Sequence, residues 1–413
     1  MSILSSTNTG KSSLDSELRK YCINPEDTIL DSDGNVIVTD SLVYMRMPAA
    51  AKSFADFPFH IKEVRGDMTV INSQLTTLEG FPERVCGNFT CANNRLETLA
   101  GGPKEVHGAY NCRSNILTTL EGAPDTTGGD FNCGNNNLSS LEHAPLHIHG
   151  KLVADRNMIT SLSTLHSECD AGLFINYNST LCSLENSPEK VNGVFSCAEC
   201  HITSLTGGPK EVNGVYDCSR NALTSLDGAP AEVRGDFKCS HNLLTSLKGG
   251  PSVVSQTYDC SFCDLTTLEG APKRSVIFNC AGNSLSVLDG CPERVIDTFD
   301  CSDNELFTMK GAPKVIKRAV IVNNNRLTTL EGLPRDMHLL RFDCSYNKLP
   351  SLEHGPVEVK HSLNTSYNPL TTIEHFPKTR PHSICITRCG TNALVKELDE
   401  IRYTTRDNIV LKT

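Results

Sequence analysis

Nineteen cysteines in 413 residues are the first candidates for chemistry, because thiolates bind metals, attack electrophiles and form disulfides. Cys197/Cys200 and Cys260/Cys263 carry the Cys-x-x-Cys spacing of zinc ligands. Gly10-Lys11-Ser12 has the ending of a phosphate-binding loop, but the first Gly of that loop falls at Ser5 and no strand is expected before it. Asp31-Ser32-Asp33-Gly34 opens like a calcium loop, yet its Gly comes early and no Glu closes it, so it reads as a hairpin turn. His143 and His354 stand after Leu-Glu and His375 after Ile-Glu, where most copies of the same phrase have Gly, and all three read as solvated turn residues. No Ser-His-Asp or Cys-His arrangement emerges. The chain is expected to be no enzyme and to use no metal or cofactor.

Composition narrows the partners. Lys plus Arg total 38 against 48 Asp plus Glu, a net charge of −10, which lacks the basic footprint of a nucleic-acid binder. No run approaches the roughly 18–20 apolar residues of a membrane span. The first twenty residues contain no apolar stretch of the signal-peptide kind. Hydrophobic residues make up 38% and aromatics 6%, with no Trp, so a core must come from Leu, Val, Ile and Cys.

The elements that hold these residues repeat. Prolines recur from Pro82 to Pro377 in steps of 20 to 22, with one double step of 43 between Pro145 and Pro188 over a degenerate copy. Counting from each Pro, an aromatic or aliphatic residue falls at +7, Cys or an aliphatic at +9, usually Asn at +12, and Leu at +14 and +17. Pro209, Val212, Gly214, Tyr216, Cys218, Asn221, Leu223 and Leu226 show the pattern. A Pro-less copy begins near Ile61, which makes sixteen starts with the degenerate one. Residues +7 and +9 share one face of a short strand. Asn ends that strand and satisfies turn backbone in its own and the neighbouring repeat. Leu-x-x-Leu crosses the back, and Gly-x-Pro turns the chain for the next coil. One such coil cannot bury its apolar side alone, but a stack can. Sixteen strands about 4.8 Å apart predict a curved ribbon roughly 75 Å long.

The phrase F-x-C-S-x-N-x-L-T-S-L-x-G-x-P, seen in Phe237–Gly250 and its copies, resembles a short bacterial-type leucine-rich repeat. It is also similar to tandem repeats of tailed-phage and bacterial proteins. It departs from the effector-type repeat in having Val-x-Gly-x-Phe-x-Cys before the Asn. The resemblance implies a solenoid of the α/β type, with a parallel sheet on a concave face and a mostly irregular convex side. It also implies a protein-binding scaffold with no common activity.

The register also explains the cysteines. Cys91, Cys112, Cys133, Cys197, Cys218, Cys239, Cys260, Cys280, Cys301 and Cys344 all fall at the +9 core position and are expected to stack as reduced, buried hydrophobes, which implies a reducing, cytoplasmic compartment. Cys200, Cys263 and Cys389 take the Asn position. The two Cys-x-x-Cys pairs lie three coils apart, roughly 14 Å by strand spacing, too far for one tetrahedral ion.

Residues 1–60 read as an N-terminal cap, a helix over Ser12–Cys22 and a hairpin of Thr28–Leu30 with Val36–Thr39. The solenoid spans 61–390, and 391–413 reads as a capping helix, from Asn392 to about Tyr403, with a tail.

What remains is surface. Acidic residues after the +17 Leu and basic residues after the Pro read as solvated edges that attract across the turn. On the strand face, Asp217, Lys238, Asp259, Asp300 and Asp343 stand between +7 and +9, with Arg220, Phe262, Tyr346 and Tyr367 two positions beyond +9. This mostly acidic face with a few aromatics is the expected binding surface for a protein with a basic patch, the chain being a monomer or bound to that partner. A phage or bacterial inhibitor of a host protein is the leading expectation. The alternatives are a secreted effector adaptor, which would act in a host cytosol, and a structural, self-assembling virion protein.

Overall fold

The computed structural model describes residues 6–48, 51–378, 381–389 and 409–410. It divides into two compact units, Met1–His201 and Ile202–Thr413. Each is a stack of coils whose strands pair in parallel with those of the next coil.

In the first unit, strands beginning at Leu42–Tyr44 and Met68–Val70 run in register through Phe89–Thr90, Tyr110–Asn111 and Phe131–Asn132 to Val194–Ser196. In the second, the same ladder runs from Tyr216–Asp217 through Phe237–Lys238, Thr257–Asp259 and Ile277–Asn279 to Ser383–Cys385, and Ile409–Val410 adds a further parallel strand. Within each unit the +7 residues pair with one another, so a column of rings fills the interior of each. Phe89, Tyr110, Phe131, Phe195, Tyr216, Phe237, Tyr258, Phe278, Phe299 and Phe342 are fully buried. Successive centroids lie 4.9 Å apart at Phe89–Tyr110 and 5.2 Å at Phe237–Tyr258, within the range of favourable aromatic pairs.

A second parallel ladder, not expected from the sequence, forms just after each proline. It joins Ile61–Val64, Arg84–Val85, Glu105–Val106, Thr126–Thr127, His147–Ile148 and Glu168–Cys169 in the first unit. Glu211–Val212, Glu232–Val233 and Val253–Val254 join in the second, as do Arg274–Ser275, Arg294–Val295 and Val315–Ile316. Apart from Ile61–Val64 these strands are two residues long, and each buries at most one side chain, such as Val85, Thr127, Ile148 or Ser275, which is why periodicity alone does not announce them. Each coil is thus closed by two ladders at its corners, with the Leu-x-x-Leu segment between them.

At the chain start the helix covers Ser6–Lys20, beginning earlier than expected and ending short of Cys22. Cys22 turns left-handed at φ 61, and the Ile23 N–H closes back on the Leu18 carbonyl at 2.9 Å, a common way to end a helix. Thr28–Leu30 and Val36–Val38 pair antiparallel, and Val36–Val38 then lies parallel on Ile61–Val64. The Asp31 carboxylate organises the hairpin turn, accepting bonds from the Asp33 and Asn35 N–H groups at 2.9 Å and an ion pair from Lys62 at 3.0 Å. Those bonds, the Asn35 side chain's first, hold its pKa well below the usual carboxylate range. The helix expected over Asn392–Tyr403 lies outside the described residues.

Two turns per coil need left-handed backbone. The Gly two residues before each Pro has φ between 80° and 109° in ten coils, Gly80, Gly101, Gly122, Gly207, Gly228, Gly249, Gly270, Gly290, Gly311 and Gly332. A Cβ at Gly122 would fall 2.4 Å from the Ala100 nitrogen, so the glycine is required by close approach as well as by φ. The second left-handed position lies at +11, and it is the one that matters for the site.

Candidate protein-binding face

Every nominated residue falls in the second unit, on the strand that carries the buried ring or on the turn that follows it. Asp217, Lys238, Asp259, Asp300 and Asp343 are half-buried. Arg220, Phe262 and Tyr346 are exposed, and Tyr367 is half-buried. They form two columns one above another, coil by coil.

The strand column has local work to do. Asp217 Oδ1 accepts from the Ser219 N–H at 3.0 Å and from its hydroxyl at 2.6 Å. Asp259 does the same with Ser261, Asp300 with Ser302 and Asp343 with Ser345. Where Asn stands at this position its oxygen substitutes, as at Asn279, which accepts from the Ala281 N–H at 3.1 Å. The acidic stripe is therefore first a set of turn-holding acceptors. Burial raises the Asp300 pKa above the usual carboxylate range, against the lowering effect of the Ser302 bonds. Lys238 leans toward Asp236 at 4.0 Å.

The turn column was picked from the sequence for its aromatics, but its backbone was not foreseen. Arg220, His241, Phe262, Asp303, Asn324, Tyr346, Tyr367 and Arg388 all adopt φ between 50° and 57°. Left-handed backbone costs a residue with a Cβ about 1–2 kcal/mol, and Asn and Asp tolerate it best. Here it carries Tyr, Phe, His and Arg. The next residue enforces it. Asn304 Nδ2 donates to the carbonyls of Cys280, Cys301 and Ser302 at 3.0–3.1 Å, while its oxygen accepts from the Leu285 N–H at 3.0 Å. Asn242, Asn283, Asn325, Asn347 and Asn368 are likewise buried and bonded.

Held this way, the side chains stack along the column. Tyr346 and Tyr367 lie with centroids 4.1 Å apart and planes 12° apart, and the Arg388 guanidinium sits 5.7 Å from the Tyr367 ring. His241 and Phe262 stack at 4.9 Å and 9°. The Phe262 ring lies over Gly282, where a Cβ would meet it at 2.5 Å. In the first unit Arg156 covers Tyr177 at 4.0 Å. A bond to the Tyr367 hydroxyl raises the Tyr346 phenol pKa.

The cysteines are part of the scaffold. The ten ladder cysteines are fully buried. Where their partners are resolved, each thiol donates to a carbonyl of the following coil: Cys218 to Lys238 at 3.3 Å and Cys280 to Asp300 at 3.4 Å. Burial pushes the Cys133 thiol up to about 12, and Cys218, Cys260 and Cys301 well above the ordinary thiol value. Such thiols are poor nucleophiles and poor ligands. Cys263 Sγ donates to the Cys239 carbonyl at 3.4 Å, the preceding-coil bond that Asn242 makes to Cys218 at 3.1 Å. No group of three or more His, Cys, Asp or Glu placed to hold a metal occurs among the described residues.

The edge charges pair differently from the expectation. Lys248 meets Glu269 at 2.9 Å and Lys310 meets Glu331 at 3.2 Å; both pairs join equivalent positions of successive coils, because those positions stand directly above one another. A cleft of about 260 Å³ opens in the first unit where the second ladder is interrupted between Glu168–Cys169 and Lys190–Val191, at the degenerate repeat.

Parallel strands in register, one coil every 20 to 22 residues, Asn at the strand end and Leu-x-x-Leu across the coil define a leucine-rich-repeat solenoid. Among solved structures the chain is similar to YopM from Yersinia enterocolitica WA-314, with 20% identity over 81% of this chain and 82% of that one, at a TM-score of 0.54. Two further similarities are to YopM, a leucine-rich effector protein from Yersinia pestis (15% identity, 84% and 86% coverage, TM-score 0.45), and to the functional domain of InlJ from Listeria monocytogenes (18%, 77% and 73%, 0.40). At these identities the likeness concerns the fold. No protein-family model matches the chain, and no curated protein sequence does.

Proposed function

We propose that the chain is a non-catalytic scaffold that binds another protein through the strand and turn columns of its second unit. One observation carries this reading. Two positions per coil require left-handed backbone, and one is filled by Gly in ten coils while the other carries bulky side chains such as Arg220, His241, Phe262, Tyr346, Tyr367 and Arg388. Glycine at +11 would relieve the strain, so side chains retained there serve something other than the fold, and strain of this kind concentrates at functional sites. Stacked, rigid aromatics and guanidinium groups are the anchors that protein interfaces use. The partner's matching feature is a basic patch facing Asp217, Asp259, Asp300 and Asp343. The finer reading, a phage or bacterial protein that blocks a host target in a reducing compartment, is supported by the repeat's resemblance and the buried thiols.

The test is a comparative capture with mass spectrometry, using the intact chain and a variant with those four Asp changed to Asn. Asn keeps the acceptor that holds each turn and removes only the charge. A stoichiometric partner released at lower salt from the variant supports the charge-matched reading. Identical salt dependence for both baits removes the basic patch from the account.

A further inference from the structure

Among the described residues the first strand of the ring-bearing ladder, Leu42–Tyr44, is paired on one side, in parallel with Met68–Val70. Leu42 N–H donates to the Asp67 carbonyl at 2.8 Å, and Ile71 N–H donates to the Tyr44 carbonyl at 2.9 Å. Main-chain groups alternate direction along a strand, so those of Leu42 and Tyr44 serve the ladder and those of Val43 point to its open side. Natural sheets blunt such edges with charges at the strand centre, prolines or bulges. This one presents Val43, 56% exposed, and Met45, 59% exposed.

The flanking sequence is self-complementary. Asp40-Ser41-Leu42-Val43-Tyr44-Met45-Arg46 places opposite charges three residues to either side of Val43. In an antiparallel pairing of this segment with its own copy, centred on Val43, residue numbers opposite each other sum to a constant. Val43 meets Val43, Ser41 meets Met45, and Asp40 meets Arg46 at both ends. Asp40 and Arg46 are exposed, and among the described residues neither has an ion-pair partner within the chain.

We propose that this N-terminal edge is the interface of a two-fold homodimer, in which two chains join ladders edge to edge. The Val43 N–H and carbonyl of each copy exchange two hydrogen bonds, and two Asp40–Arg46 pairs set register and orientation. A two-fold contact of this type is isologous and closes after two copies.

Sedimentation velocity across a concentration series tests it on the full chain. The intact chain is expected to pass from monomer to dimer, with no larger species. Asp40→Arg sets like charges opposite each other at both ends and lowers the association constant about tenfold. Adding Arg46→Asp to the same chain restores the pairs in reversed sense and brings the constant back to within about threefold. Val43→Pro removes the donor at the centre and abolishes association, while the exposed charge variants keep the test valid if that variant folds poorly. A chain that stays monomeric at every concentration overturns the proposal, and so does a dimer whose strength ignores the charge reversal.

Discussion

The Asn at +12 is the residue on which the geometry turns. Asn304 joins three carbonyls and one N–H in a place with almost no water access. Replacing it by Ala strands several buried backbone groups, each costing about 1–3 kcal/mol; a loss of roughly 3 kcal/mol or more in urea unfolding is the expected result. Asn304→Cys should cost less, because Cys263 already occupies the equivalent position and reaches the equivalent carbonyl of its neighbour. Asp300 offers a pH test. Burial raises its pKa in the fold above the ordinary value, so its contribution to stability is greatest below the usual carboxylate range and is lost as pH rises through the raised value. Asp300→Asn keeps the acceptor and removes the titration, so its advantage over the parent should grow with pH across that window. Parallel unfolding at pH 3 and pH 7 checks the sign, and equal gains at both would refute it.

At the scale of the coil, much was legible. The +7, +14 and +17 positions give the buried column because an apolar residue every 21 or so positions has one place to go in a stack. The Cys ladder and the Asn-to-Cys exchanges follow from the same register. The second ladder did not follow, since a two-residue strand offers no alternation to read. The left-handed +11 backbone did not either, because Tyr346 and Phe262 are residue types that argue against it. The ion pairs between successive coils needed the stacking itself.

One rule of the coil is visible only when the structure is set beside the sequence. Tyr stands at +7 after Gly-Gly-Pro at Tyr110, Tyr216 and Tyr258, while Phe131, Phe237 and Phe278 follow Gly-Ala-Pro. A Cβ at Gly102 would come within 3.2 Å of the Tyr110 hydroxyl, and one at Gly250 within 2.9 Å of the Tyr258 hydroxyl. The second glycine makes room for the phenol oxygen. Gly102→Ala alone should destabilise by about 1–3 kcal/mol through overpacking, and Tyr110→Phe in the same chain should recover part of that loss, the Leu78 Cδ1 at 2.9 Å and the Leu99 carbonyl at 3.0 Å from the added Cβ remaining. A double-mutant cycle with no coupling would contradict the rule.

Over the whole molecule, repetition separates what holds the fold from what serves function. Ladder residues recur because each coil meets the same neighbours. Surface columns vary from coil to coil, so the register that makes the architecture readable says little about the partner. The nine nominated residues were found as a strand-face pattern, and the structure adds that one column is bound up in its own turns while the other is held out under strain. The same view explains why the cysteines, which looked like chemistry, are packing.

The central claim is that the +11 side chains are kept for binding at some cost to stability. Its most direct measurement is comparative capture with a chain in which Arg220, Phe262, Tyr346 and Tyr367 are all changed to Gly, alongside its unfolding free energy. Relief of left-handed strain offsets the lost stacking of about 0.5–1.5 kcal/mol per pair. The account predicts a folded variant, at least as stable as the parent to within about 1 kcal/mol per site, that no longer retains the stoichiometric partner. A variant that holds the partner as tightly as the parent, or one that unfolds because the four side chains were structural, would contradict it.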